Sequence, residues 1–461
     1  MVLHLGLTVG ITPIRDDESW FLEMRSGRQL RLTRSTLLDR LLARLSEGGG
    51  SLSELMGDVN SLSLYFELLQ LERHGVISIS LMGKNGLALT LVPNGHRFVR
   101  ITPPSDSFQM KLSRYLMITP GEEGLDLAVP MKNSQLIVHD ERLASIICRL
   151  ALPIDKTALE LSLPCDLQED ATSLIMLLLS AGVVGVIETD GELSCDRKAK
   201  RERWSREDLA LHHRSRLGWH EEPIGATYRD ACALEAAPPI SSLAGQRRVK
   251  LSKMNEHEST IEFFSVVERR RSLRTPSATP INLEQVGKLL WASLRVQTNR
   301  EFNGEYQGLD EGTFRPVASG GALHEIDTYL IVRRCKGLKS GLYRYDPRDH
   351  ELVQVDELNT ASQQLLELAC QSANVNHPPD ILLCFAARYG RVSWKYEGIV
   401  YSLILKHVGA IMQQLYLVST ALNLSPCALG SGDSALFAEA TGLHPMSDAA
   451  VGEFMISGSD K

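Results

Sequence analysis

The chain reads as an α+β protein: two tandem winged-helix-like units, a connector, and a larger C-terminal α+β domain. Three observations predict this. A block of hairpin, helices and strand recurs once in the first half. A segment ending in Ala236-Ala237-Pro238-Pro239 then breaks the pattern, and the remainder carries one long apolar helix among glycine turns. The expected boundaries are residues 1–100, 101–200, a connector over 201–258 and a final domain over 259–461.

In the first unit, Trp20 to Leu32 alternates around a Ser-Gly turn, as a hairpin does. Leu37, Leu38, Leu41, Leu42 and Leu45 then recur at helical spacing. A short helix and a longer one over about Leu62 to His74 follow, stopped by Gly75 and leading into the strand Val76 to Ile79. The second unit keeps this order. Leu125 to Val138 is a hairpin turning at Asn133-Ser134, and Leu143, Ile146, Ile147 and Leu150 line its first helix. Asp170 to Ala181 is helical, ends at Gly182 and runs into Val183 to Ile187. Gln29 and Gln135 lie 106 positions apart, and Gly75 and Gly182 lie 107 apart, which points to duplication.

Such units suggest DNA binding by fold alone, but the site has to carry that claim. Both candidate recognition helices, Leu62 to Glu67 and Ala171 to Met176, are poor in Arg and Lys. A net charge of −7 and a pI near 6.0 also argue against a polyanion binder. The basic run Arg197 to Arg201 reads as a solvated helix face. With 43% hydrophobic and 23% charged residues, the chain can bury ordinary cores.

Eight cysteines stand singly with no CxxC pair, the pattern of thiols in a reducing compartment rather than a disulfide framework or zinc site. The N-terminus lacks the features of a signal peptide, and Ala171 to Ile187 is broken by glycines and too short for a membrane span. A cytoplasmic protein with no membrane or nucleic-acid partner is expected. His212 and His213 are adjacent and would face different sides of a helix, so no metal site is expected there.

Three separated clusters in the last part carry chemistry. Glu268-Arg269-Arg270-Arg271-Ser272-Leu273-Arg274 offers guanidinium groups and a hydroxyl able to clamp a phosphate. Arg315 to His324 contains Ser319-Gly320-Gly321-Ala322-Leu323, whose small residues let backbone amides approach a flat ring. Trp394 to Ser434 opens on Lys395-Tyr396 and continues as a long apolar helix with Gly409 and Gln413. It closes on the turn Gly430-Ser431-Gly432-Asp433. No Rossmann GxGxxG, P-loop, GxSxG or HExxH is present.

Taken in order, these clusters resemble the SagB-type dehydrogenases, FMN-dependent azoline oxidases of ribosomal peptide maturation within the nitroreductase superfamily. The cyanobactin oxidases belong to the same type. The segment Arg201 to Arg229 also resembles the connector that precedes the catalytic domain in those enzymes. Ala318 departs from the family's usual proline in the Pro-Ser-Gly-Gly loop. The resemblance implies a nitroreductase-like FMN domain that works as a homodimer. It places Arg270, Arg271, Ser272 and Arg274 on FMN, with Ser319, Gly320, Gly321 and Leu323 against the ring. Gln413, Gly430, Gly432 and Asp433 are implied as further cofactor contacts.

Lys395 and Tyr396 match the family's Lys-Tyr pair, to which the resemblance assigns proton abstraction from a peptide thiazoline or oxazoline on its way to the azole. Both side chains ordinarily titrate at about 10, so one must be shifted down to act as base. The resemblance further implies a precursor-peptide substrate, leader-peptide contact through the winged-helix units by strand addition, and a cyclodehydratase partner. Two alternatives stay open: an NAD(P)H-dependent flavin nitroreductase, and a non-enzymatic adaptor that presents peptide to another enzyme.

Overall fold

The computed structural model describes residues 3–24, 27–56, 62–94, 98–104, 107–242, 247–255, 261–301 and 311–459. They divide into two compact units, Met1–Ile224 and Gly225–Lys461, with the division inside the expected connector.

Within the first unit the duplication is visible element by element. The strand Leu3–Leu7 lies between Gly50–Ser51 and Ile77–Gly83. In the second copy Gln109–Leu112 lies between Ile154–Asp155 and Val184–Val186. Each copy then has a three-stranded meander: Thr12–Arg15, Ser19–Glu23 and Gln29–Thr33 in one, Met117–Pro120, Leu125–Ala128 and Ser134–Val138 in the other. The expected second turn at Asn133-Ser134 therefore shifts, because Ser134 already belongs to the returning strand.

Three helices follow each meander: Thr36–Ser46, Leu52–Met56 and Leu62–Arg73, then Glu141–Arg149, Lys156–Ser162 and Ala171–Ser180. The Ser35 hydroxyl caps the first by accepting the Leu38 amide, and Leu38, Leu41, Leu42 and Leu45 are buried beneath it. Gly75 and Gly182 end equivalent helices at φ +77 and +67, values at which a side chain would be strained. The copies differ in one respect. Ser134–Val138 pairs with Gly86–Pro93 and joins the copies into a seven-stranded sheet, whereas the first meander forms a three-stranded sheet of its own.

The second unit is a seven-stranded antiparallel sheet with helices on both faces. Its strands run in the order Arg248–Lys250, Glu351–Asp356, Gly341–Asp346, Ile326–Val332, Ile381–Arg388, Asp448–Ser457 and Ser425–Ala428. Ile381–Arg388, ILLCFAAR, is buried along its whole length. Ile381, Leu383 and Phe385 pack into one core and Leu382, Cys384 and Ala386 into the other, as a two-residue period demands. The first core is closed by the helices Leu283–Leu294 and Val400–Ala421, the second by Thr360–Ala373 and Ser434–Thr441. The 22-residue helix Val400–Ala421 is the long apolar helix of the sequence and positions most of the site. Among the described residues no helix is long and apolar enough to cross a membrane, and no His/Cys/Asp/Glu group could hold a metal. The eight cysteines form no disulfide.

Candidate active site

Lys395 and Tyr396 sit between the short helix Tyr389–Ser393 and the start of the long helix. Lys395 is only 4% exposed. Both side chains converge on the Gly320-Gly321 backbone. A Cβ at Gly321 would lie 2.8 Å from Lys395 Nζ and 3.0 Å from Tyr396 Oη, and one at Gly320 would lie 3.3 Å from His407 Nε2. A side chain at position 321 would have to displace the ends of Lys395 and Tyr396 on a backbone with φ +62. Ala322 and His324 follow at φ +55 and +45, so this loop holds side chains in the left-handed region at some cost in strain.

His407 of the long helix holds the loop in place. The Gly320 N–H donates to His407 Nε2 at 2.7 Å, so the imidazole proton must sit on Nδ1, which donates to Glu325 Oε1 at 2.7 Å. Glu325 is fully buried, and its other oxygen accepts the Ser319 hydroxyl at 3.3 Å. The Ser319 hydroxyl in turn accepts the His324 amide. Leu323 is buried in the core, and its carbonyl accepts Nε of Arg391.

Behind the loop lies a buried guanidinium layer. Arg344 Nη2 and Arg388 Nε approach the Asp327 carboxylate to 2.6 and 3.4 Å. Arg388 donates to the carbonyls of Pro238 and Pro239, and Arg391 to that of Ala237. Burial, reinforced by the neighbouring arginines, pulls Arg391 down to about 9; burial also lowers Arg315 to about 10. His324 is depressed to about 3, chiefly by burial and then by Arg315, so it is neutral at physiological pH.

The arginine cluster lies at a second place. The Ser272 hydroxyl and Tyr416 Oη are 2.8 Å apart, and the Arg270 guanidinium stands 5.3 Å from the Tyr416 ring centroid. The Ala428 amide donates to the same Tyr416 oxygen, the Leu273 amide to the Pro426 carbonyl, and Arg274 reaches Cys427. Among the described residues no carboxylate pairs with Arg270, Arg271 or Arg274. An uncompensated patch of this kind suits a phosphate.

Gly430, Gly432 and Asp433 form the turn between Ser425–Ala428 and Ser434–Thr441. The Asp433 carboxylate caps that helix by accepting the Leu436 amide. A Cβ at Gly432 would collide with the Glu453 carboxylate, whose pKa burial raises. Gly430 faces open space, and Gln413 is exposed on the long helix.

The expected site residues thus form two groups. Ser319, Gly320, Gly321, Lys395 and Tyr396 gather around His407, while Arg270, Ser272, Arg274 and the Ser425–Ala428 strand gather around Tyr416. His407 and Tyr416 are nine positions apart on one helix, which at about 3.6 residues per turn puts them on opposite sides.

The comparisons with known proteins fall on this half of the chain. Residues 267–456 match the model of the nitroreductase family. The C-terminal unit carries a nitroreductase-family domain. A relative, the nitroreductase-type protein MJ1384 of Methanocaldococcus jannaschii, is 28% identical over 171 residues, which cover 37% of this chain and 79% of that protein. Solved structures similar to the chain include a nitroreductase-type protein of Anabaena variabilis, 14% identical, covering 78% of this chain and 85% of that one at a TM-score of 0.41. One from Ralstonia eutropha is 20% identical, covering 52% and 99% at a TM-score of 0.37. The Escherichia coli microcin synthetase McbBCD complex, with truncated pro-MccB17 bound, is 17% identical over 59% of this chain and 100% of the matched chain, at a TM-score of 0.35.

The nitroreductase-family domain makes the C-terminal unit a flavoprotein oxidoreductase with FMN as its cofactor. The residues fit that group: an uncompensated arginine patch for a phosphate, and, for a flat ring, a glycine loop whose bare backbone is closely approached by Lys395, Tyr396 and His407.

Sequence reasoning missed His407, Glu325, Arg391 and Tyr416. His407 and Tyr416 stand in the apolar helix Val400–Ala421, Arg391 in the short helix Tyr389–Ser393 and Glu325 just before the strand Ile326–Val332, and their significance lies in contacts across long stretches of chain. The one sequence signal was a polar residue such as His407 in an otherwise apolar run.

Proposed function

We propose that the protein is an FMN-dependent azoline oxidase that converts thiazolines or oxazolines in a ribosomally made peptide into thiazoles or oxazoles. The observation that carries the reading is the convergence of a buried lysine and a tyrosine hydroxyl on the Gly320-Gly321 backbone. A reductase that passes hydride from a nicotinamide to a nitro group adds protons to its substrate and removes none from carbon, so it has no need of a base there. Bound FMN supplies the two-electron oxidation. The protein's own part is to remove the azoline α-proton, and Lys395 and Tyr396 are the residues placed to do so. His407 and Glu325 fix the loop against which the substrate ring would rest, and the Arg270 to Arg274 patch would hold the phosphate.

The active form is proposed as a homodimer. The two groups of cofactor residues occupy opposite sides of the long helix, so one flavin reaches both when each group comes from a different copy. The exposed face of that helix fits a partner: Tyr401 and Leu405 are 43% and 41% exposed, and Phe263 and Phe264, at the start of the helix Phe263–Arg269 that packs against it, are 64% and 77% exposed. The duplicated N-terminal unit is proposed to be two winged-helix modules. Its role is proposed to be leader-peptide recognition by strand addition, with a cyclodehydratase as the partner that makes the azoline. The division into modules over 1–100 and 101–200 belongs to the same proposal.

Incubating the FMN-loaded protein with an azoline-containing peptide tests the reading. Loss of two hydrogens per ring by mass spectrometry supports it. Consumption of NADH with a nitroaromatic, and no change in the peptide, would replace it with the reductase reading.

A further inference from the structure

The segment just before the family domain, Gly225 to Pro239, is strapped across the catalytic pair. Gly225–Ala226 pairs antiparallel with Tyr396–Glu397, and the Tyr228 amide donates to the Lys395 carbonyl at 3.2 Å. Arg229 and Thr227 both reach the Glu397 carboxylate at 3.2 Å. Farther along, the Trp394 indole donates to the Leu234 carbonyl at 2.7 Å, and Arg388 and Arg391 hold the carbonyls of Ala237 to Pro239. None of these strap residues falls within the family match, which begins at residue 267.

One strap residue touches the site itself. Lys395 Nζ lies 5.5 Å from the ring centroid of Tyr228 and 5.5 Å from that of Tyr396. Tyr228 is braced edge-to-face against Trp394, with centroids 5.7 Å apart at 89°, and has φ +52, a backbone conformation that bulky side chains seldom adopt. A buried ammonium between two aromatic rings is held by their quadrupoles, which replace part of its lost hydration.

We propose that Tyr228 is a positioning residue that clamps Lys395 as an ammonium ion against Tyr396, so that the strap completes a site the family domain does not build alone. The charged and titratable groups around the pair come from several elements. Tyr396 and Glu397 follow it in the chain and Arg391 precedes it. His407 with Glu325 stands across Gly320, and Arg229 on the strap is already engaged by Glu397. The clamp favours the charged lysine. A cation beside a phenol favours phenolate, so the clamp leaves the Tyr396 oxygen as the base. The role given to Tyr396 rests on the proposed azoline chemistry; the clamp itself does not.

The test is a pH titration by NMR of the FMN-loaded full chain carrying 13Cε-lysine, with the Lys395 signal assigned from Lys395→Met. In unaltered protein the Lys395 Cε protons are expected upfield, displaced by the ring faces. Tyr228→Leu and Tyr228→Met should each lower the Lys395 pKa by about one unit, roughly tenfold in proton affinity, whereas Tyr228→Phe should hold it near the unaltered value. An unshifted Lys395 signal in unaltered protein overturns the clamp even where the Leu and Met variants fail to fold. An equal fall in the Phe variant, or none in the Leu and Met variants, overturns it as well. A protein that leaves azoline peptides unchanged but shows this pattern would refute the proposed function and keep the clamp.

Discussion

His407 and Glu325 form a buried pair, Nδ1 to carboxylate at 2.7 Å, and the far side of the same imidazole accepts the Gly320 N–H. The glycine loop is therefore pinned to the long helix by one side chain whose proton position is fixed by its partner. Replacing His407 with Leu leaves a buried amide and a buried carboxylate without this partner. The expected loss is about 1–3 kcal/mol of unfolding free energy in urea denaturation, with lowered flavin content. Unchanged stability would mean that the loop does not depend on this contact.

Gly321→Ala is expected to weaken the site through geometry alone. The new methyl would fall 2.8 Å from Lys395 Nζ, on a backbone with φ +62. Azoline turnover should drop at least tenfold while the far-UV circular dichroism spectrum is retained. Full turnover would show that the loop relaxes freely.

Arg274→Ala should give a folded protein that purifies largely colourless. A charge-assisted hydrogen bond contributes about 1.5–3 kcal/mol, so FMN affinity should fall by roughly ten- to a hundredfold. Unaltered affinity in a fluorescence titration would move the phosphate site elsewhere.

The depressed pKa of His324 makes a prediction about acid stability. Its folded value of about 3 lies below the unfolded value of about 6.5, so between these the unfolded chain binds a proton that the folded chain does not. Stability from this group is complete above about pH 6.5 and declines as pH falls toward 3. His324→Asn, which tolerates the positive φ, should lose up to about 2 kcal/mol less than the unaltered protein between about pH 6.5 and pH 5. Parallel pH dependence of the two proteins would show that His324 takes up its proton without unfolding.

Much of the fold was legible because periodicity reports burial. The leucines of Thr36–Ser46 and the glycines ending Leu62–Arg73 and Ala171–Ser180 were readable from spacing alone. The joining of the two copies into one sheet was not, since the pairing of Ser134–Val138 with Gly86–Pro93 has no local signature. In the site, the residue types of Lys395, Tyr396 and the glycine loop singled them out. Their meeting point did not, because His407, Glu325 and Tyr228 reach it from stretches distant in sequence. Leu323 is buried in the core and the Asp433 carboxylate caps the helix Ser434–Thr441, positions that motif order alone does not reveal.

The most direct test of the account is the Lys395→Ala, Tyr396→Phe double variant, loaded with FMN and given an azoline peptide under the conditions in which the unaltered protein removes two hydrogens per ring. The account predicts a yellow, folded protein whose oxidation rate is lower by about 10²–10⁴-fold, the usual cost of losing a general base. Oxidation at the unaltered rate with flavin still bound would contradict it, and would make the pair a structural feature of the long helix's N-terminus.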